Sequence, residues 1–315
     1  MTMNDSIVYT MNEFSSHEFG EIDYFICATH DDDRAKEGFK KLVLENKIKN
    51  VLAIKYEEGS EWSDSAFLGI NRENITKIYV GNQFNDFIYG FKEIIPNLID
   101  KKIAVDISSI KTPDIFSLLK MLKLFEHKEK IECIYSIPYD YKYVSKQFSY
   151  KASLGDLENY DLQGYGGDYD ANEDDATFVV FLGFENALSL KVLEDTEYKR
   201  LNFVNSLPSF YQKYKDISIV NNSAVIKGKS YEAMYYVPAN NPFEVYNMLE
   251  NKFHKRKSLC ISPLSSKSIS LGVCLYALNH ENVRIVYPMS TKYSQQLSNS
   301  VWKTFVYVIN LTYAN

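Results

Sequence analysis

Several protein classes are excluded by what this sequence lacks. Its four cysteines, Cys27, Cys133, Cys260 and Cys274, are too few and too scattered in 315 residues for a disulfide-stapled domain, and they form no Cys-x-x-Cys pair. Three fall in expected strands and one on a helix face, so buried reduced thiols are expected. The five histidines, His17, His30, His127, His254 and His280, show no metal-ligand spacing, and neither a metal nor a cofactor is expected. No apolar run approaches the ~18 residues of a membrane span. The first fourteen residues are polar, without the basic-then-apolar order of a secretory leader, so no membrane partner is expected. A basic excess is also missing: 35 Lys and Arg face 41 Asp and Glu, giving a net charge of −6, which argues against direct DNA binding. The one basic run, Lys252 to Lys257, closes an expected helix, where cations are favoured electrostatically. Absent too are the phosphate loop GxxxxGK[ST], a GxGxxG after the first strand, HExxH and GxSxG. What remains, with 45% hydrophobic and 24% charged residues, is the composition of a soluble globular protein with room for two domains, and a reducing cytoplasm is the expected compartment.

What is present is an alternation of apolar strands and helices, read twice. In the first half, strands are expected at Tyr24–Ala28, Asn50–Tyr56, Ile75–Val80, Ile103–Ile107 and Ile131–Ile137. Helices are expected at Arg34–Glu45, Phe84–Ile99 kinked or shortened by Pro96, and Pro113–Phe125. In the second half, strands are expected at Phe178–Leu182, Leu201–Val204, Ile217–Val220, Ser258–Ile261 and Val283–Tyr287, with Tyr231–Val237 as an added strand. Helices there are expected at Ala187–Leu193, Pro242–Phe253 and Ile269–Leu278. Near-continuous apolar strands separated by helices mark a parallel sheet covered on both faces. The segment Ala104 to Thr112 aligns without a gap with Cys260 to Ser268, each a strand ending in hydroxyl residues, then Lys, then Thr or Ser. The fold class is therefore α/β: two tandem Rossmann-like parallel-sheet units related by internal duplication. The first is expected over 1–154 and the second over 177–315, where Val301–Leu311 adds a last strand. Residues 155–176, rich in glycine and acid, read as a connection.

In such sheets ligands bind beyond the carboxyl ends of the strands where the strand order reverses. The first mouth is then lined by Thr29, His30, Asp31, Asp32, Asp33 and Arg34, facing Ser108, Ser109, Lys111 and Thr112. The second is lined by Gly183, Glu185 and Asn186, facing Ser262, Ser265, Ser266, Lys267 and Ser268. Hydroxyls, a helix N-terminus and a lysine suit an anion. Plain helix capping by Thr112 before Pro113, by Ser268 and by Asn186 is the alternative. Asp31–Asp33 would repel a phosphate, so they suit a helix cap, a ribose hydroxyl, a base edge or a divalent ion. Glu185 is the candidate catalytic residue, a lone carboxylate suited to glycosidic-bond cleavage. Tyr135, Tyr139, Tyr141, Tyr143, Tyr287 and Tyr293 stand near the rims, as base-stacking or as packing residues.

The run Ile261-Ser262-Pro263-Leu264-Ser265-Ser266-Lys267 resembles the fourth-strand motif of CARF domains, Asn-x-Thr-Gly-Gly-Thr-Lys, with Ser266-Lys267 standing for Thr-Lys and Leu264 and Ser265 replacing the glycines. Asp106 to Lys111 keeps an acidic head, a hydroxyl and a lysine, one residue short. The chain is also similar to a group of bacterial proteins of unassigned function with two such halves, a Gly-rich middle and an ending like Trp302 to Tyr307. The CARF resemblance implies a Rossmann-like sensor of cyclic oligoadenylates in antiviral defence, with two halves standing for the usual dimer. The leading expectation is thus a cytoplasmic sensor of a nucleotide-like small molecule that signals to a protein partner. A nucleotide or N-glycosidic-bond hydrolase and a non-catalytic adaptor are the alternatives.

Overall fold

The computed structural model describes residues 10–30, 32–57, 62–141, 153, 155–293 and 298–311. Asp31 and Tyr143, both named above, lie outside the described residues. The chain divides into two units, residues 1–142 with 295–315 and residues 143–294.

The first unit opens with β1 (Thr10–Glu13) and β2 (Ile22–Ala28), then α1 (Asp33–Leu44), β3 (Ile48–Tyr56) and β4 (Ile75–Val80). The helices α2 (Asp86–Lys92) and α3 (Ile95–Leu98) follow, so the kinked or shortened helix expected at Pro96 is divided in two just before it, because proline fits the first turn of a helix but not its interior. Then come β5 (Ile103–Asp106), α4 (Thr112–Leu124) and β6 (Ile131–Tyr141). In the second unit the order is β7 (Leu157–Asp161), β8 (Thr177–Phe181), α5 (Asn186–Asp195), β9 (Arg200–Ser206), α6 (Gln212–Asn221), α7 (Ser223–Gly228), β10 (Ala233–Val237), α8 (Pro242–Phe253), β11 (Leu259–Pro263), α9 (Lys267–Asn279) and β12 (Val283–Ser290). The chain then returns to the first unit as β13 (Ser298–Ile309).

Both sheets share one plan. The first runs β4-β3-β2-β5-β6-β13-β1 and the second β10-β9-β8-β11-β12-β7, with the first five strands of each parallel. β5 and β11 occupy the same position, each between the first and fifth strands of its sheet. Their residues are buried throughout, as are those of β8, which is why these stretches read as largely apolar runs. The cores are apolar and aromatic: Phe25, Phe39, Trp62 and Phe67 interlock in the first unit, while Phe178 and Phe203 lie in the second. All four cysteines are buried thiols, none in a disulfide.

Three expectations are corrected. Ile217–Val220 is not a strand but part of α6, whose buried face is Tyr214, Ile217 and Ser218, the spacing of a helix. A four-residue apolar run carries too little periodicity to separate the two, and the true third strand is β10, the counterpart of β4. The stretch expected as pure connection contains β7, which pairs antiparallel with β12 from Asp161–Val286 to Leu157–Ser290. The tail does form a strand, but β13 joins the first sheet, antiparallel to β6 from Ser298–Tyr141 to Ile309–Ile131, and carries β1 on its far side. The strand after each fifth strand has therefore been exchanged: β6 leads on to β7, which completes the second sheet, and β12 leads on to β13, which extends the first.

Candidate functional site

In the first unit β2 and β5 are neighbours whose crossover helices lead to opposite sides, α1 to β3 and α4 to β6, so the strand-order switch lies between their carboxyl ends. Thr29 is buried, its hydroxyl donating to the Ile54 carbonyl at 3.1 Å. The indole of Trp62 donates to the His30 carbonyl at 2.7 Å, and the His30 ring stacks on Tyr56 with centroids 5.4 Å apart. Asp32 caps α1, accepting from the Arg34 backbone N–H at 2.9 Å, from the Arg34 guanidinium at 3.1 and 3.2 Å, and from the Ser298 hydroxyl at 2.8 Å. Asp33 accepts from the Ser300 N–H at 3.1 Å. Burial would raise the Asp32 carboxyl, but the charge and hydrogen bonds of Arg34 outweigh it and hold it below its ordinary value. The acids and the arginine of this loop are therefore engaged in starting α1 and fastening β13.

On the β5 side, Ser108 is buried and its Oγ accepts from the Ser136 N–H at 2.9 Å, while the Ser109 hydroxyl donates to the Ala28 carbonyl at 3.2 Å and ties the two strand ends together. Lys111, not Thr112, holds the N-cap position of α4, and Thr112 is buried as its first residue with Pro113 behind it. The expected Thr112 cap gives way because Tyr56 serves the helix start from outside. Its hydroxyl accepts from the Lys111 N–H at 3.1 Å and donates to Asp114 at 2.6 Å. The Lys111 ammonium lies 4.5 Å from the Tyr56 ring centroid, within cation–π range. His30, Ser109 and Lys111 remain partly exposed around the buried Tyr56, and these are the residues the mouth presents.

The corresponding mouth of the second unit is filled by main chain. A Cβ on Gly183 would stand 2.1 Å from the Leu264 carbonyl oxygen, and the Leu264 N–H donates to the Phe181 carbonyl at 3.2 Å. From α6 and the residue that ends it, Ser218 and Asn222 donate to the Gly183 carbonyl at 3.0 and 2.9 Å, and Asn221 donates to the Phe184 carbonyl at 2.8 Å. Glu185 sits at the N-cap position of α5 with Asn186 as first helical residue, so Asn186 is not the expected cap. The Glu185 carboxylate accepts from the Ser153 N–H at 2.9 Å. Ser266 caps α9 by accepting from Ile269 at 3.5 Å, and Ser268, the expected cap, is buried with its hydroxyl donating to the Ala239 carbonyl. Ser265 and Lys267 flank this turn half-buried, and Ser262 lies fully buried at the end of β11. Gly183→Ala is expected to destabilise the second unit by about 1–3 kcal/mol, the usual cost of forcing atoms into a packed site. Its melting transition should drop while that of the first unit stays in place in calorimetry.

Sequence reasoning passed over Tyr56 and Trp62 and treated Asp106 only as the head of a motif. Asp106 is fully buried at the end of β5, and burial raises its carboxyl to about 7 against the pull of the Ser108 hydroxyl, the Ser108 N–H and Arg34. The signal was there: an aspartate closing an otherwise apolar central strand. A cavity of about 400 Å³ opens at the opposite, amino end of β3 beside Lys49, Asn50, Asn71 and Asn74. Lys49 there is already paired with Glu21 at 2.8 Å and Asp23 at 3.1 Å, so it lacks the free charge of an anion site. Among the described residues no helix is long and apolar enough to cross a membrane, and no cluster of three His, Cys, Asp or Glu side chains is placed to hold a metal ion. No family model matches the chain, and no curated protein matches its sequence.

Proposed function

We propose that the first unit binds a small anionic, nucleotide-like molecule at the β2–β5 mouth, and that the protein is a sensor acting through a protein partner. The observation that carries this reading is the grouping of Lys111 and His30 on Tyr56 at the strand-order switch, with Ser109 bonded to the end of β2 beside them. A cation, an imidazole and a hydroxyl stand there near the start of the thirteen-residue helix α4, and the lysine supplies the charge an anion needs. The resemblance to cyclic-oligoadenylate sensors supports a place in a bacterial defence or stress system. The hydrolase reading has less support, because Glu185 is hydrogen-bonded to the chain beside a mouth filled by main chain.

Calorimetric titration with ATP and with cyclic tri-, tetra- and hexa-adenylate tests the proposal. Lys111→Ala is expected to weaken binding by about ten- to a hundredfold, the loss of one charged hydrogen bond to a phosphate. Its melting temperature should barely move, and Lys267→Ala should bind as the wild type does. Equal affinity of wild type and Lys111→Ala would remove the site. Turnover of these nucleotides, lost in Glu185→Gln, would replace the sensor by an enzyme.

A further inference from the structure

The edge of a sheet offers unpaired N–H and C=O groups to any extended chain it meets, and folds guard such edges, most often with charge. The two sheets have four edges, β4 and β1 in the first and β10 and β7 in the second. Lys77 stands in β4, Glu13 in β1, and Glu158 and Asp161 in β7. β10, Ala233-Met234-Tyr235-Tyr236-Val237, has no charged residue and no proline, and its register with β9 is unbroken. Among the described residues no strand pairs with its other side, and no hydrogen bond reaches its main chain from there. Every residue from Ser230 to Tyr236 is at least partly exposed. Glu232, just before the strand, is paired with Arg200 of β9 at 2.7 Å. Apolar side chains stand along this edge instead. Tyr231 and Tyr236 are exposed, as is Leu207, whose N–H donates to the Val237 carbonyl at 2.8 Å and so sets it against the end of β10. The faces of the strand are already in use: Tyr235 packs on Phe253 of α8, ring centroids 5.6 Å apart, with Lys252 over its ring, and Met234 packs on the core of the unit. The edge is what remains.

We propose that β10 is the interface between two copies of this chain, paired antiparallel across a two-fold axis at Tyr235. That register opposes Ala233 to Val237, Met234 to Tyr236 and Tyr235 to its own copy, so the whole strand is paired. The second copy is the occupant because each molecule offers the same neutral edge, and the residues match one another when the strand is turned upon itself. No charge has to be desolvated along it. The other three edges would bring Lys77, Glu13, or Glu158 with Asp161 into such a contact, and each charge must then be paired or stripped of water. Tyr236, half-exposed in the single chain, comes to lie against Met234 of the second copy, within the reach of cross-strand neighbours. The contact consumes the one unguarded edge, so association stops at two. It is independent of any ligand at the mouth of the first unit.

Sedimentation equilibrium of the full chain from about 1 to about 300 µM tests the pairing, because a weak contact fills by mass action. The average mass should climb from 36.5 kDa toward twice that value and no further. Tyr236→Lys sets two cations diagonally across the axis and should keep the monomer mass throughout, with an unchanged melting temperature. Tyr236→Glu should do the same. An equal mixture of the two variants should associate again, since the diagonal neighbours then carry opposite charges. Hydrogen exchange of the wild type is the measurement that needs no variant. The amides of 233–237 should exchange about tenfold or more slowly at the upper concentration, and those of β4 at an unaltered rate. A wild type that keeps the monomer mass over the whole range overturns the proposal. So does a dimer that both variants form as readily as the wild type, a mixture of variants that stays monomeric, or association that leaves exchange in β10 unchanged. Should neither variant fold, the exchange comparison decides.

Discussion

Removing residues 295–315 is expected to unfold the first unit while the second keeps close to its full-length stability. β13 pairs with β6 along nearly the whole length of that strand and holds β1 on its other edge. It buries Phe305, Val306, Tyr307, Val308 and Ile309, with Leu311 just beyond. Side chains of this size are worth about 1.5–3 kcal/mol each when fully buried, so the strand contributes on the order of 10 kcal/mol before chain entropy is counted. Whole domains are stable by about 5–15 kcal/mol, so the remaining first unit should not hold. The exposed edge of β6 would also be a template for aggregation. Exchange measurements on the truncated chain should show residues 10–141 unprotected and residues 157–290 protected, and adding the missing segment as a peptide should restore part of the lost protection. A first unit that keeps its protection after truncation would mean that β13 is an accessory edge. Deleting β7 instead should cost the second unit far less, because that strand is short and half-exposed at the rim of its sheet.

Asp106→Asn should abolish a pH-dependent loss of stability in the first unit. The carboxyl rises from 3.8 when unfolded to about 7 when folded, burial being the main cause. Between these values the folded state holds a proton that the unfolded chain releases. Stability from this group is therefore complete below about pH 4, declines as pH rises, and is lost above about pH 7. The span corresponds to on the order of 4 kcal/mol, of which about 3 kcal/mol falls between pH 5 and pH 8. The amide cannot ionise and resembles the protonated acid in shape. Its stability relative to wild type should thus rise across that window, even if the unpartnered N–H makes it somewhat weaker at pH 5. His127 works the other way: it is buried in the same unit and burial lowers its titration point, so it favours folding as pH rises. Comparing the variant with wild type at each pH cancels that contribution. Denaturant titrations at pH 5 and pH 8 provide the measurement, and parallel pH profiles for the two proteins would show that Asp106 is ionised in the folded state without penalty.

The strand-order switch and the exchanged strand differ in how far local sequence reveals them. Runs such as Phe178–Phe181 and Ile103–Val105 declare themselves because a strand covered on both faces is apolar at nearly every position. Pro113 marks a helix start and Pro96 interrupts an apolar helical run, because proline fits the first turn of a helix but not its interior. The matching of Ala104–Thr112 with Cys260–Ser268 follows from the same local rules operating twice, and it places the two fourth strands correctly. These features depend on neighbours within one or two turns of chain.

Caps were less legible. Thr112 and Ser268 have the right chemistry, but a tyrosine from β3 serves the start of α4, and Ser266 takes the cap of α9 two residues earlier. The four residues at Ile217 read equally as strand or helix until Tyr214 shows which face is buried. At the mouths, identical residue types received different fates. The serines and lysine of the second unit sit beside a glycine pressed against the main chain, whereas Lys111 in the first found an aromatic ring to lie on.

By itself, the sequence determined the alternation of strands and helices, the parallel sheets, the burial of the thiols and the position of both switch points, since each rests on local periodicity and on which side chains tolerate burial. Only the tertiary structure decided that β7 and β13 change places, that Asp32 and Arg34 serve the fold, and that Asp106 keeps an unpartnered oxygen under α1. The physical reason is range. A sheet edge accepts any strand whose length and buried face suit it, and hydrogen-bonding groups are satisfied by whatever the fold brings near, and neither condition is written in the residues adjacent along the chain.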